Sequence, residues 1–259
     1  MGEPHGMHLR QHIAAKWTLW QAIFRAGMPG VFALAWLGLP ALVPEGAAAP
    51  MPAWALRLAT VLQSALLLAL AAWGGARLAP RVGLQAPVAA ALVAGQPLWP
   101  AARPLLLPGL AGGGAGAVLL AGAAQWAPEA ILRTLPELPL LVRVLYGGVT
   151  EEILLRWGVM SALAWAGWRV LQRGRGALHA GTAWLAIALS ALLFAAGHLP
   201  AAHVLFGGLT ASVVAYVVAG NAAFGLLAGW LYWRRGLEAA VLAHMLAHVF
   251  AHGAAALAA

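Results

Sequence analysis

Long apolar runs restrict the fold of this chain more than any other feature. They fall at 29–44, 58–76, 105–126, 138–168, 179–198, 203–219, 221–233 and 237–258. A helix needs about 20 apolar residues, in a range of roughly 17–25, to cross a bilayer. The chain is 63% hydrophobic and 8% charged, against about 25% charged in soluble domains. The expected fold is an all-α, polytopic membrane bundle of about eight transmembrane helices. The first and seventh runs are short, so their ends are soft. Residues 84–100 are apolar but contain Pro87, Pro97 and Pro100. They read as an interfacial stretch or a partial ninth span. The glycine-rich run 109–116 permits close helix approach or forms a loop.

Residues 1–28 hold His5, His8, Arg10, His12, Lys16 and Arg25 and lack the short apolar core and clear cleavage site of a signal peptide. They are expected to be a retained cytoplasmic segment, with the bundle at 29–259. No tandem repeat or domain linker interrupts it. The net charge of +8 is scattered between apolar runs. It therefore suits loop arginines at a membrane face rather than a nucleic-acid surface. Arg10, Lys16 and Arg25 precede the first run, Arg77 and Arg81 follow the second, and Arg169, Arg173 and Arg175 follow the fourth. These clusters share one side if 84–100 does not cross, which places the N-terminal segment in the cytoplasm. With eight spans, Arg234 and Arg235 then fall outside, against the same rule. The bias to Ala, Gly, Arg and Trp resembles a GC-rich bacterial composition, so a bacterial inner (plasma) membrane is the expected location. Trp17, Trp20, Trp54, Trp99 and Trp233 flank apolar runs and suit an interfacial aromatic belt.

The chain has no cysteine and no aspartate. That excludes disulfides, thiolate nucleophiles, thiolate metal sites and aspartate dyads. Of its seven acidic residues, two stand side by side inside an apolar run, in Glu151-Glu152-Ile-Leu-Leu-Arg156. Ionisable groups at bilayer depth are costly and mark functional sites by default. Residues four apart share a helix face, so Glu152 pairs with Arg156. Glu151 is rotated about 100° away in an α-helix and has no local partner. Such a carboxylate suits a general acid or base; the bland alternative is an ion-pair knot that holds the bundle together.

His198 ends the fifth run, four residues after Phe194 and just before Pro200. His244 and His248 are one helical turn apart, with His252 a turn further on. Imidazoles at this spacing suit a metal, a haem or a pair of hydrogen-bond donors. His252 is the expected passenger; His203, Tyr216 and Asn221 are ordinary polar positions. No His-Glu-x-x-His, Gly-x-Ser-x-Gly, P-loop or dinucleotide motif is present, and Ser190 lacks a hydrolase context.

Taken in order, Glu-Glu-x-x-x-Arg, Phe-x-x-x-His and His-x-x-x-His within 138–250 resemble the CPBP family of CAAX-protease and bacteriocin-processing (ABI-type) intramembrane peptidases. The glycine-bearing stretch 224–232 is similar too. The resemblance implies an intramembrane endopeptidase acting on a membrane-embedded or lipid-adjacent peptide. By resemblance, Glu151 activates water, Glu152 and Arg156 support it, His198 shares that water, and His244 donates to the oxyanion. His248 stands where the family usually has asparagine. A neutral imidazole can still donate one hydrogen bond. The resemblance leaves a metal-free version and a zinc version, hence a metalloprotease, both open. Two readings compete with it: a b-type haem protein using His198 with His244 or His248, and a proton-relay or transport protein using the buried acid and histidines.

Overall fold

The structure, a computed structural model, describes residues 18–43, 51–134 and 138–258. Most of the N-terminal segment, including its histidines and Lys16, lies outside the described residues. Helix α1 is Leu19–Leu42, α2 Ala53–Val82, α3 Pro87–Val93, α4 Leu98–Ala124 and α5 Glu129–Thr134. The site helix α6 covers 140–171. It is followed by α7 Ala180–Gly197, α8 Leu199–Leu205, α9 Ala211–Arg235 and α10 Leu237–Ala258. Among the described residues there is no strand. Six of the helices, with α7 and α8 counted as one, are long and apolar enough to cross a membrane. The seventh long helix, α6, is less uniformly apolar, because it carries Arg143, Glu151, Glu152, Arg156 and Arg169. The protein is a polytopic helical membrane protein.

The expected spans 203–219 and 221–233 are not separate crossings: 211–235 is one helix, α9, and 203–205 belongs to α8. The Gly220-Asn221 pair reads as a break in the sequence, but Asn221 Nδ2 donates to the Val217 carbonyl 2.8 Å away. That bond satisfies the amide inside the helix, so nothing stops it. The stretch 84–100 does not cross: α3 is a single short helix, and Pro97 caps the start of α4. Helix α1 starts ten residues before the expected 29 and includes Arg25, whose side chain is exposed. A long arginine stem near a helix end can lie along apolar surface while its head reaches water.

The glycine-rich run 109–116 is helical, and it forms the α4–α10 seam. A methyl group at Gly113 would meet Leu246 Cβ at 2.5 Å, and one at Gly116 would meet Ala247 Cβ at 2.8 Å. Without a hydrophobic driving force between helices, close backbone approach of this kind supplies the packing energy.

Helix α6 is the hub of the bundle. Much of it, Arg143–Glu151 and Ile153–Met160, is wound as π-helix, a form that is rare and recurs at functional sites. Its polar side chains reach its neighbours. Thr150 Oγ1 donates to the Gly27 carbonyl of α1 at 2.8 Å, and Trp157 Nε1 to the Ala72 carbonyl of α2 at 3.2 Å. Ser161 meets the Tyr232 hydroxyl of α9 at 2.8 Å, and Ser190 of α7 donates to the Leu155 carbonyl at 3.0 Å. In a low-dielectric interior each satisfied group removes a penalty larger than its own net gain.

Gly148 carries the α6–α10 contact. A Cβ there would lie 2.5 Å from Met245 Cγ and 3.1 Å from Met245 Cα. Backbone cannot swing aside as a side chain can. Gly148→Ala is therefore expected to lower stability by about 1–3 kcal/mol, read as a lower unfolding temperature in detergent. Gly114→Ala, with nothing within 4 Å, should leave that temperature unchanged or raise it.

Candidate active site

The two adjacent glutamates occupy different environments. Glu152 is fully buried, and its Oε2 sits 3.2 Å from Arg156 Nε. This contact is an ion pair by distance but does not align as a hydrogen bond, and Arg156 Nη1 and Nη2 find no protein acceptor. The guanidinium instead lies over the Phe194 ring, 4.8 Å from its centroid, a cation–π arrangement. The expected pairing across one turn therefore forms, with an aromatic face as its third member.

Glu152 Oε1 also holds His244: the His244 Nδ1 is 2.7 Å away. His244 therefore meets the buried acid, while His198 faces Glu151. His244 is turned to the buried acid because its ring is clamped. Phe224 tilts against it at 4.4 Å, Phe194 meets it edge-on at 6.3 Å, and His248 stacks on it at 5.0 Å.

Glu151 is partly open, at 18% side-chain exposure, and faces His198 Nε2 across 3.9 Å. His198 lies at the C-terminal end of α7, where its Nδ1 is 2.8 Å from the Phe194 carbonyl oxygen. A carbonyl only accepts, so Nδ1 carries the proton, and in the neutral ring Nε2 presents its lone pair to Glu151. Phe194 packs edge-on against the same imidazole at 4.7 Å. One phenylalanine therefore touches His198, His244 and Arg156, and it couples the two acid–imidazole pairs. The spacing Phe-x-x-x-His marks its contact with His198; its contacts with His244 and Arg156 are not local in sequence.

Gly147 is a site residue that the motifs do not mark. A Cβ at this position would lie 3.1 Å from His248 Nε2 and 3.8 Å from His244 Nε2. Both imidazole edges thus point at the same bare stretch of α6, four residues before Glu151. Tyr146 lies beside it, near Glu151 and Ser64. His203 and His252 are exposed and stand apart from the cluster.

Among the described residues no three His, Cys, Asp or Glu side chains converge as a metal-binding group. The reason is visible in the donors: His244 Nδ1 is engaged by Glu152, and His248 lies stacked on His244 rather than opposed to His198. The residues present do not fit a three-ligand zinc site.

Residues 134–250 match the Rce1-like family, described as type II CAAX prenyl endopeptidase Rce1-like. The match covers a little under half of the chain and includes Glu151, Glu152, Arg156, His198, His244 and His248. No curated protein and no solved structure matches the chain.

Proposed function

We propose, on the match of residues 134–250 to the Rce1-like family, that the chain is a CAAX-type intramembrane endopeptidase in which Glu151 and His198 activate water. The observation that carries this reading is the division of labour between the two acids. Glu152 is buried between Arg156 and His244, while Glu151 is partly open and faces an imidazole lone pair across 3.9 Å. That separation is too long for a direct hydrogen bond and suits one bridging water.

Such a water donates one hydrogen to Glu151 and the other to His198 Nε2, which leaves an oxygen lone pair free. As the oxygen attacks the scissile carbonyl carbon, Glu151 takes the proton. Collapse of the tetrahedral intermediate breaks the C–N bond, and Glu151 returns the proton to the leaving amine. His244 has its Nδ1 proton on Glu152, so it donates from Nε2 only as an imidazolium. With Glu151 and Glu152 as carboxylates and Arg156 charged, that state makes the cluster neutral. The Nε2 edges over Gly147 then serve the developing oxyanion, where one donor is worth about 2.7–4 kcal/mol. No step requires a metal.

The reading is tested by cleaving a membrane-inserted reporter peptide in ¹⁸O-water. One label should enter the new carboxylate, with no trapped acyl-protein. An acyl adduct would overturn the direct-water mechanism.

His248→Asn is expected to retain activity within about tenfold. An amide can supply a donor toward Gly147, and the loss or lengthening of one hydrogen bond is worth about 1 kcal/mol. Cleavage rate and zinc content are measured together in both proteins. A joint collapse would show that His248 is a ligand and would rule out the metal-free route.

A further inference from the structure

The bundle is polarised along its axis. Arg77, Arg81, Arg169, Arg175, Arg234 and Arg235 all belong to one end, made by the close of α2, the α6–α7 turn and the α9–α10 turn. Contacts tie these segments together: Leu237 N donates to the Gln85 carbonyl at 2.9 Å, Ala89 N to Glu238 Oε1 at 2.8 Å, and Trp184 packs on Trp233. Among the described residues the other end carries fewer arginines: Arg57 near the start of α2, Arg133 in α5 and Arg143 near the start of α6. Since α9 is one helix rather than two spans, Arg234 and Arg235 join the other arginine clusters. The charge conflict that an eight-span count creates is gone. Positively charged ends of short loops stay in the cytoplasm, so the arginine-rich end is the cytoplasmic one.

The water-activating pair sits away from that end. His198 terminates α7, 18 residues long, about 27 Å from its arginine-side start. Side-chain exposure in the cluster rises in the same direction: 0% at Glu152, 7% at His244, 18% at Glu151 and 35% at His198. Beside His198, α5, α8 and the start of α9 build a small separate core of Ile131, Ala202, Val213 and Val217, with Leu199 packed against it. This cap borders the open side of the site.

We infer that the substrate reaches Glu151 and His198 from the non-cytoplasmic face of the membrane. The substrate class is then a polypeptide segment of an exported or membrane-anchored protein displayed on that face, rather than a cytoplasmic C-terminus. The inference rests on the peptidase reading above, but its test does not need catalysis. The chain has no cysteine, so any introduced thiol is unique. Ala201→Cys, exposed beside His198, and Ala177→Cys, exposed in the arginine-rich turn, are treated in intact cells with a membrane-impermeant biotin maleimide. Labelling of Ala201→Cys in intact cells, and of Ala177→Cys only after permeabilisation, is the expected result. The reverse pattern overturns the inference and leaves the peptidase reading standing. Glu151→Cys, or His198→Cys should that variant fail to fold, probes the site itself. It should react with a charged, impermeant methanethiosulfonate added outside; reaction only from the cytoplasmic side overturns the inference. Correct labelling in a chain that cleaves no reporter peptide from either side would undo the proposed function and this inference with it.

Discussion

Glu151→Gln is expected to lower peptide cleavage by about 10²–10⁴-fold and to leave the unfolding temperature close to wild type. The reason lies in what each face of the side chain does. Glu151 is partly exposed, and among the described residues its ionic contact is with His198 Nε2 across 3.9 Å. An amide of the same shape fills the same space, so packing is retained. It cannot take a proton from water, and its NH₂ group, if turned toward His198, would occupy the lone pair that orients that water. The measurement is a cleavage rate in proteoliposomes alongside thermal unfolding in detergent. A variant that stays folded and still cleaves at the wild-type rate would remove Glu151 from the chemistry. His198→Gln should fall less, because in the proposed mechanism His198 orients the water while Glu151 moves its proton.

Local spacing made part of this site legible. Glu152 and Arg156 are four apart, and they pair; Phe194 and His198 are four apart, and they pack. Both contacts depend only on neighbouring turns of one helix. What was not legible depends on other helices. The choice of His244 for Glu152 rather than Glu151 is set by Phe224 of α9 and Phe194 of α7 clamping its ring. The role of Gly147 as bare floor exists only because α10 brings two imidazole edges to it. The π winding of α6 leaves no mark in hydropathy, because it changes hydrogen-bond register rather than which residues are apolar. At the level of the fold, hydropathy found every long helix. It split α9 at Gly220-Asn221 because a polar amide lowers the apolar score whether or not the helix absorbs it, as Asn221 does by donating to Val217.

Glu152→Gln has the opposite signature to Glu151→Gln: a folding defect first, with activity lost as a consequence. Glu152 is fully buried, and one carboxylate holds two partners, Arg156 at 3.2 Å and His244 at 2.7 Å. Glutamine keeps an oxygen that His244 can use, but it removes the negative charge. Arg156, 1% exposed, is then a buried cation facing only the Phe194 ring. Removing one member of a buried pair costs about 3–5 kcal/mol, because the remaining charge is left uncompensated. A drop of that size should appear as poor membrane yield, a lowered unfolding temperature and aggregation on extraction. The second half of the test separates charge from shape. Replacing a buried pair by apolar groups of similar volume is often neutral or stabilising, so Glu152→Gln combined with Arg156→Met should recover much of the lost stability. It should not recover activity, since His244 would lose the carboxylate that holds its Nδ1. If Glu152→Gln is as stable as wild type while Glu151→Gln unfolds the protein, the roles of the two acids are exchanged. If the double variant is no more stable than the single one, the cost lies in the lost Glu152–His244 hydrogen bond rather than in the stranded arginine.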